Sequence, residues 1–263
     1  MSKPYLVTCH LMGGLGNQMF QIATTIAAAM DNNAISVFDK LEPEGYKYAE
    51  RESYWDTVFH NIKTQPLDTK SFKTFKEWWN HTYIPITITS NTIINGYFQT
   101  SKYFEKYTDV ISTIFKLPIR EEKIVNCSLE DLRTKFPGKK LVGMHVRRTD
   151  YTKLNWDLKK EYFLNGQTHF DYDKTQFICF SDDPKWCLDN IPGIYLCRQE
   201  YDYLDMFLLS KMDGYIISNS SFSWWAVFLG NLSKKKKVVA PDHPWLRNNN
   251  YNKDIHEKNW VLI

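Results

Sequence analysis

Residues 141–151, LVGMHVRRTDY, combine an apolar strand with a group of charged side chains at the point where the strand ends. The first half is apolar at 141, 142, 144 and 146 and follows a Pro-Gly turn signal, so it predicts a buried strand. Four polar or charged side chains then follow within six residues: His145, Arg147, Arg148 and Asp150. Ligands of open α/β sheets bind beyond the carboxyl ends of the strands. The segment therefore predicts a ligand site, with a strand end that carries a surface salt bridge as the plainer alternative.

The two arginines of this segment are suited to an anionic ligand. A guanidinium is a planar fork of donors that matches the oxygens of a diphosphate or a carboxylate better than the ammonium of lysine does. An adjacent carboxylate, Asp150, can hold one fork in place, and His145 can donate or accept a hydrogen bond. An isolated Arg-Arg pair more often forms ordinary surface ion pairs, so the assignment depends on the rest of the chain.

Two further strand ends in the C-terminal half carry polar residues, FSDD at 180–183 and SNSSFSWW at 218–225. Strands and helices alternate there with short turns, which predicts a parallel, doubly wound sheet whose strand ends lie along one edge. Asp182 or Asp183 can accept hydrogen bonds from a base such as guanine, and Phe222 can pack against that base. A helix start in the second segment can bind phosphates through Ser220, Ser221 and Ser223. The alternatives are a turn and helix cap for the aspartates and a helix cap for the serines.

The N-terminus shows a strand, a glycine-rich turn and an Ala-rich helix from about 18 to 30. This arrangement presents backbone N–H groups to an anion at the helix N-terminus. The glycines stand at 13, 14 and 16, which is neither a GxGxxG fingerprint nor a P-loop. Asn17 and Gln18 can cap the helix or reach a ligand, and tight packing of the glycine turn is the alternative. Further along, an Ile-x-Ile alternation over 84–92, followed by IINGYFQ at 93–99, predicts a strand and a turn.

Length and composition exclude several classes of protein. A chain of 263 residues can hold two domains, and the Pro-Gly turn after a charged helix places a boundary near 138, giving domains 1–138 and 139–263. The net charge of +3 is too small for a nucleic-acid binder. Five cysteines without metal-ligand spacing predict free thiols and no zinc site. No apolar run approaches the length of a membrane span and the N-terminus lacks a signal-peptide pattern, so a cytoplasmic protein is expected.

Four blocks follow one another along the chain: MGGLGNQMFQIA at 12–23, HVRRTDY at 145–151, FICFSDDPKW at 177–186 and IISNSSFSWWAVFLG at 216–230. In this order they resemble the α-1,2-fucosyltransferase family, the inverting enzymes that use GDP-fucose. The segment VVAPDHPW at 238–245 is similar to the segment near the C-terminal end of the family's sequences. The HxRRxD pattern is shared with α-1,6- and protein O-fucosyltransferases, so it marks the donor chemistry, whereas GGLGNQMFQ and NSSFSWW favour the α-1,2 group.

The resemblance implies an α/β, glycosyltransferase-B fold with two Rossmann-like domains facing across a cleft. The C-terminal domain is then expected to bind GDP-fucose, and the N-terminal domain to form the acceptor side and cover the fucose. No metal and no other cofactor is expected, because arginine, helix N-termini and backbone amides can replace Mg²⁺ on the diphosphate. The expected donor-binding residues are Gly14, Gly16, Asn17, His145, Arg147, Asp182, Ser220, Ser221, Phe222 and Ser223.

Arg147 is the residue on which catalysis is expected to depend. In the related enzymes the first arginine of HxRRxD contacts the β-phosphate, where leaving-group charge develops. Arg148 is expected to be a structural partner of Asp150. An acceptor hydroxyl can need a general base, and Asp157 is the candidate, since a glutamate lies at a comparable place in the α-1,6 relatives.

The expected reaction is the transfer of L-fucose from GDP-fucose to the 2-hydroxyl of a terminal galactose, with inversion and without metal. The expected partners are GDP-fucose and a galactose-terminated oligosaccharide, with no nucleic acid and no membrane span. Residues 40–80 and 151–163 follow the family only loosely, which leaves the acceptor open. The alternatives are a fucosyltransferase of another linkage or with a protein acceptor, and a catalytically silent sugar-nucleotide or glycan-binding domain.

Overall fold

The computed structural model describes residues 3–40, 54–77, 82–242 and 254–263. The chain divides into two compact units, each built on a parallel sheet. Residues 1–118 and 252–255 form the N-terminal unit, and residues 119–251 and 256–263 form the C-terminal unit. Within the described ranges, no helix has both the length and the apolar character needed to cross a lipid bilayer.

The N-terminal unit has a four-stranded parallel sheet with the strand order β2-β1-β4-β3. Its strands and helices are β1 (Leu6–Cys9), α1 (Leu15–Asp31), β2 (Ile35–Ser36), β3 (Lys73–Lys76), β4 (Thr92–Asn95) and α2 (Thr108–Ile114), with 3-10 turns at Ser101–Tyr103 and Glu105–Tyr107. Alanine is the strongest helix former, and the small side chains of α1 let the helix bury most of its surface. Phe20 of α1 packs against Phe104, with ring centroids 6.1 Å apart.

The strand predicted from residue 84 begins later in the structure, because β4 starts only at Thr92 and ends at Asn95. The side chain of Asn32 accounts for the difference. Its Nδ2 donates to the carbonyl of Ile86, and its Oδ1 accepts from the N–H of Ile88, so a side chain takes the place of a neighbouring strand. Conversely, β3 lies in the 40–80 region, where the sequence shows no clear helical or strand periodicity. Residues 41–53 and 78–80 of this region lie outside the described residues.

The C-terminal unit has a six-stranded parallel sheet with the strand order β10-β9-β8-β5-β6-β7. Its strands are β5 (Lys140–Val146), β6 (Thr175–Ser181), β7 (Ile194–Leu196), β8 (Gly214–Ile216), β9 (Val238–Ala240) and β10 (Val261–Leu262). Its helices are α3 (Ile119–Lys135), α4 (Thr149–Leu154), α5 (Lys160–Thr168), α6 (Pro184–Asn190), α7 (Asp202–Ser210) and α8 (Ser221–Gly230). The central strand β5 is buried almost throughout, as expected for a strand covered on both faces.

The C-terminal unit begins at Ile119, before the boundary near 138 that the sequence suggests. Helix α3 packs against α7 and contributes the buried residues Val125 and Leu132 to this unit. An ion pair of 2.6 Å between Arg133 and Asp213 also ties the end of α3 to the turn before β8. A charged helix followed by a Pro-Gly turn has the composition of a linker, but here one face of it is core. The assignment of donor and acceptor roles to the two halves stays a prediction.

Candidate active site

The three polar strand ends of the C-terminal unit lie side by side. Strands β8, β5 and β6 are neighbours in the sheet and all run parallel, with Met144 of β5 paired to Ile216 on one side and to Cys179 on the other. Their carboxyl ends therefore share one edge, which is where ligands of such sheets bind. The structure thus brings together the segments HVRRTD, FSDD and SNSSFSWW.

Arg147 stands at the centre of this edge. Its Nη2 lies 2.9 Å from Oδ1 of Asp150, and its Nη1 lies 3.0 Å from Oδ2 of Asp182. Its backbone N–H donates to Oγ of Ser218, which in turn donates to the carbonyl of His145. Burial acts to lower the pKa of Arg147, but the charges of Asp182 and Asp150 outweigh it and raise the pKa above its ordinary value. The guanidinium is therefore a permanent cation in a defined place.

Asp182 organises the loop that follows β5. Its Oδ1 accepts from the N–H of Arg148 at 2.8 Å, and its Oδ2 accepts from the N–H of Thr149 at 3.3 Å and from the hydroxyl of Thr149 at 2.6 Å. Both carboxylate oxygens are thus already engaged, in addition to the ion pair with Arg147. A guanine base would have to share these oxygens, so the predicted contact of Asp182 with a base stays a prediction.

The prediction that Arg148 pairs with Asp150 is wrong. Arg148 instead pairs with Asp157 at 3.1 Å and with Asp183 at 3.2 Å, and its guanidinium lies 3.9 Å from the ring centroid of Trp186. Helix α4 begins directly after Arg148, and the first-turn spacing of three residues brings Asp150 to Arg147 rather than to Arg148. Arg148 therefore braces α4 against α6.

Asp157 is the general base that the sequence leads us to expect. Only 8% of its side chain is exposed, and its Oδ2 is shared between Arg148 and Lys159, which lie at 3.1 Å and 3.5 Å. A carboxylate held between two cations is well placed to fix Arg148. To accept a proton from an acceptor hydroxyl, it would first have to give up one of these partners. The role of Asp157 as a base stays a prediction that this geometry does not favour.

His145 is buried at the end of β5, with only 6% of its surface exposed. Its ring stacks on the ring of Phe222, with centroids 5.0 Å apart and an interplanar angle of 26°. Burial lowers the pKa of His145 to about 3; the nearby Asp182 opposes this shift and Arg147 reinforces it. The imidazole is therefore neutral at neutral pH. Its Nδ1 has no hydrogen-bond partner among the described residues, so it retains one nitrogen for a ligand.

The serines at the start of α8 have different surroundings. Ser223 is fully buried, and its Oγ lies 3.2 Å from the carbonyl of Ser220 and 3.3 Å from that of Ser218. Its hydroxyl therefore stabilises the turn before α8 and does not point to the sheet edge. Ser220, the residue before the helix, is buried and makes no cap bond, but its side chain shares a hydrogen bond with the hydroxyl of Tyr151; Ser221 is half-buried. These two hydroxyls, with the N–H groups of the first turn, are the donors that this segment can offer to an anion.

Several residues of the site were not predicted. The hydroxyl of Ser218, two residues after β8, bonds to the backbone at the end of β5; Thr149 binds Asp182, and the hydroxyl of Tyr151 donates to the carbonyl of Asn219. A polar residue just past a buried strand, as Ser218 is, is a usable signal in the sequence. Helix α4 has only six residues, so its sequence is too short to show a helical periodicity. It ends at Asn155, which has a left-handed conformation.

The glycine turn of the N-terminal unit is held by hydrogen bonds from α1. Gly13 has a φ of +72°, Gly14 precedes α1, and α1 begins at Leu15, earlier than predicted. The side chain of Gln21 bonds to both the N–H and the carbonyl of Met12. These bonds hold the first turn of α1 in place, with Gly16 buried and Asn17 half-buried in it. The predicted approach of Gly14, Gly16 and Asn17 to a donor stays a prediction.

Acidic and metal-ligating side chains do not gather into a metal site in the part of the chain that the structure describes, since no group of three or more His, Cys, Asp or Glu could hold an ion there. The positive charge at the sheet edge comes from Arg147 and from the N-terminus of α8. The metal-free reaction that the sequence leads us to expect stays a prediction.

Comparison with known sequences places this site in a family. The model of the family described as glycosyl transferase family 11 matches residues 1–263. The chain is 25% identical to the α-1,2-colitosyltransferase of Escherichia coli, over 98% of this chain and 99% of that protein. It is 31% identical to the O-antigen biosynthesis glycosyltransferase WbnK of Escherichia coli over 64% of this chain and 59% of that protein. The galactoside 2-α-L-fucosyltransferase of Caenorhabditis elegans is 24% identical over 89% of this chain and 71% of that protein.

Solved structures share the architecture. Fucosyltransferase NodZ from Bradyrhizobium is similar with a TM-score of 0.56 at 15% identity, covering 86% of this chain and 92% of that chain. POFUT1 in complex with GDP-fucose gives a TM-score of 0.53 at 11% identity, covering 89% of this chain and 95% of that chain. At these identities the likeness shows the fold alone. It confirms the predicted α/β, glycosyltransferase-B type of fold with two Rossmann-like units.

Proposed function

The chain belongs to glycosyl transferase family 11, and we propose that it transfers L-fucose from GDP-fucose to the 2-hydroxyl of a terminal galactose, with inversion and without a metal ion. One observation carries the proposal. Arg147 stands at the end of the central strand, fixed by Asp150 and Asp182, with the neutral His145 and the half-exposed Phe222 beside it. A fixed cation next to an aromatic face is suited to a nucleoside diphosphate.

The group that most needs electrostatic stabilisation during the reaction is the leaving group, GDP. The acceptor oxygen forms a bond to C1 of fucose while the bond from C1 to the β-phosphate oxygen breaks, and GDP leaves with the electron pair. Attack on the face opposite GDP inverts the anomeric centre. Arg147 donates to the β-phosphate as its negative charge grows. Because Asp150 and Asp182 hold the guanidinium before the donor binds, little reorganisation is needed during the reaction.

The nucleoside end of the donor lies against Phe222 in this proposal. The ring of Phe222 is half-exposed and is backed by the buried ring of His145, which fixes its orientation. Nδ1 of His145 supplies one neutral hydrogen-bonding group, because burial keeps this imidazole uncharged. Ser220 and Ser221 supply hydroxyls to the diphosphate from the start of α8.

The proton of the acceptor hydroxyl must pass to a base as the new bond forms. Asp157 is the candidate from the sequence, and its two cationic partners give it a second possible role as the clamp on Arg148. An Asp157→Asn variant separates these roles. Loss of a base lowers kcat and removes the acidic limb of its pH profile, whereas loss of a clamp lowers stability and leaves the shape of that profile unchanged.

A second candidate function is the transfer of a colitosyl group. The α-1,2-colitosyltransferase of Escherichia coli matches 98% of this chain, a greater share than the galactoside 2-α-L-fucosyltransferase of Caenorhabditis elegans does. Both relatives are named for the same α-1,2 linkage, so this candidate differs in the sugar that is transferred and keeps the linkage.

The test is incubation of the purified protein with GDP-fucose, or with the corresponding colitosyl nucleotide, and a panel of galactose-terminated oligosaccharides. We expect a fucosylated product, and linkage determination should find the new bond at the 2-hydroxyl of galactose. A product of another linkage would show that the 2-hydroxyl of galactose is not the acceptor. A preference for the colitosyl nucleotide would show that GDP-fucose is not the natural donor. Absence of both transfer and donor hydrolysis would favour a silent binding domain.

A further inference from the structure

An amide pair at the sheet edge of the N-terminal unit controls the direction of Asn17. The Nε2 of Gln99 donates to the Oδ1 of Asn17 at 2.8 Å. Asn17 lies in the first turn of α1, the helix that follows β1, and Gln99 lies in the loop after β4. Strands β1 and β4 are parallel neighbours, so both residues stand at the carboxyl edge of the sheet, where ligands of such sheets bind.

An asparagine amide has an acceptor end and a donor end, and fixing one fixes the other. Because Oδ1 of Asn17 accepts from Gln99, its Nδ2 must point away from Gln99. Nδ2 lies directly over Gly13, where an added Cβ atom would overlap it. Within the described part of the chain, this Nδ2 makes no hydrogen bond. Asn17 therefore presents the N–H groups of its Nδ2 above the glycine turn.

The loop that carries Gln99 is itself fixed. The carboxylate of Glu77 accepts hydrogen bonds from the N–H of Tyr97 at 2.7 Å and from the N–H of Phe98 at 2.9 Å. Phe98 has a φ of +51°, a conformation that bulky residues rarely adopt, and its ring is fully buried beside Tyr103. Strain of this kind persists only where the surroundings enforce it, and it occurs often at functional sites.

We propose that Gln99 is a positioning residue that keeps Asn17 in its donor orientation, so that Asn17 donates a hydrogen bond from Nδ2 to an oxygen of the sugar nucleotide. The inference rests on the proposed function, since it takes that sugar nucleotide to be the donor substrate. A phosphate oxygen accepts hydrogen bonds and donates none. An amide turned the other way would therefore set Oδ1 of Asn17 against an anionic oxygen.

Two substitutions of opposite polarity test the proposal. Gln99→Lys is donor-only and should keep Oδ1 of Asn17 bound. Gln99→Glu is acceptor-only and should draw Nδ2 of Asn17 inward, reversing the amide. We expect Gln99→Glu to lower kcat/KM for GDP-fucose at least about tenfold relative to Gln99→Lys, the scale of one hydrogen bond to a charged group. A purely structural role predicts equal losses, because both variants place a charge at the same buried position.

A double-mutant cycle with uncharged substitutions covers the case in which the charged variants fail to fold. Gln99→Met should lower kcat/KM in the natural background but have no further effect when Asn17 is already changed to Ala. Equal losses in the two backgrounds, or equal losses for Gln99→Lys and Gln99→Glu, would overturn the inference while the natural protein stays active. A natural protein that does not use GDP-fucose would overturn the proposed function itself, and the inference with it. Gln176→Glu, in the C-terminal unit, is the matched control and should leave kcat/KM unchanged.

Discussion

The guanidinium of Arg147 and the carboxylate of Asp182 lie 3.0 Å apart across the ends of β5 and β6. The same carboxylate accepts hydrogen bonds from the backbone N–H groups of Arg148 and Thr149. One side chain from β6 therefore fixes both the arginine and the loop that carries it. A donor group that is fixed before the substrate binds needs no reorganisation as charge develops on the substrate.

The first prediction concerns the guanidinium of Arg147. We expect Arg147→Ala to lower the transfer rate at least roughly 10²-fold, as the loss of an oxyanion-type donor does. Folding should survive, because Asp150 is more than half exposed and Asp182 keeps its bonds to Arg148 and Thr149. Steady-state kinetics with GDP-fucose, together with thermal unfolding, measure the two effects separately.

Arg133 provides the control for this prediction. It also forms an ion pair with an aspartate, Asp213, at the other end of the same sheet. Arg133→Lys should leave turnover within about twofold of the natural rate, whereas Arg147→Lys should lose most of it, because a lysine cannot reproduce a planar fork of donors. Near-normal turnover by the Arg147 variants would contradict the assignment of the site.

The second prediction concerns the clamp between Arg148 and Asp157. Their side chains are 14% and 8% exposed, and among the described residues Arg148→Met would leave Asp157 with only the more distant Lys159 as an ionic partner. Breaking a buried ion pair on one side costs about 3 kcal/mol of unfolding free energy. Urea unfolding should show this loss. A double variant with Asp157→Asn should recover part of it, because no charge is then left unpaired. Additive losses in the double variant would exclude the clamp.

Much of the C-terminal unit can be predicted from local patterns alone. Helix α6, Pro184–Asn190, follows local signals, because proline favours the first turn of a helix and Asp183 caps it. Strand β5 is an apolar run between a turn and a charged segment. Such signals lie within a few residues of each other, so they are visible without the fold.

The partners within the site depend on distant parts of the chain. The bond between Asn17 and Gln99 joins residues 82 positions apart, and it exists because β1 and β4 are neighbours in the sheet. Likewise, Arg148 meets Asp183 only because β5 and β6 are adjacent. The composition of these segments predicts that polar groups gather at an edge. It does not predict which groups pair.

The third prediction is a dependence of stability on pH. The pKa of His145 is lowered to about 3 in the folded protein, mainly by burial, from an ordinary value of 6.5. Between these values the unfolded chain binds a proton that the folded chain does not, so stability falls as the pH falls below about 6.5. From pH 7 to pH 5, this residue alone should cost about 2 kcal/mol of unfolding free energy.

A His145→Phe variant should remove this share of the acid sensitivity while keeping an aromatic ring against Phe222. The quantity to compare is the change in unfolding free energy between pH 7 and pH 5, because the baseline effect of the substitution then cancels. The control is His169→Asn, which removes a half-buried imidazole outside the site. An unchanged pH dependence in His145→Phe would show that His145 is not the buried neutral group described above.

The fourth prediction is that the reaction proceeds without a divalent metal. Arg147 and the N-terminus of α8 provide positive charge where the diphosphate is expected to bind. Treatment with EDTA followed by gel filtration should therefore leave turnover within about twofold of the untreated rate. Loss of activity that is restored by Mg²⁺ or Mn²⁺ would exclude this mechanism.

The fifth prediction uses two glycines with nearly the same backbone conformation. Gly13 has a φ of +72° and Gly138 a φ of +74°, so an alanine at either position suffers the same strain of roughly 1–2 kcal/mol. A Cβ atom at Gly138 meets no other atom within 4 Å, whereas one at Gly13 overlaps Nδ2 of Asn17. Both variants should therefore lose similar stability from the backbone, but only Gly13→Ala must displace Asn17 from its bond with Gln99.

We expect Gly13→Ala to reduce kcat/KM for GDP-fucose about tenfold, the scale of one hydrogen bond to a charged group, and Gly138→Ala to leave it unchanged. Equal activity in the two variants, each measured below its own unfolding temperature, would show that the position of Asn17 does not matter to the reaction.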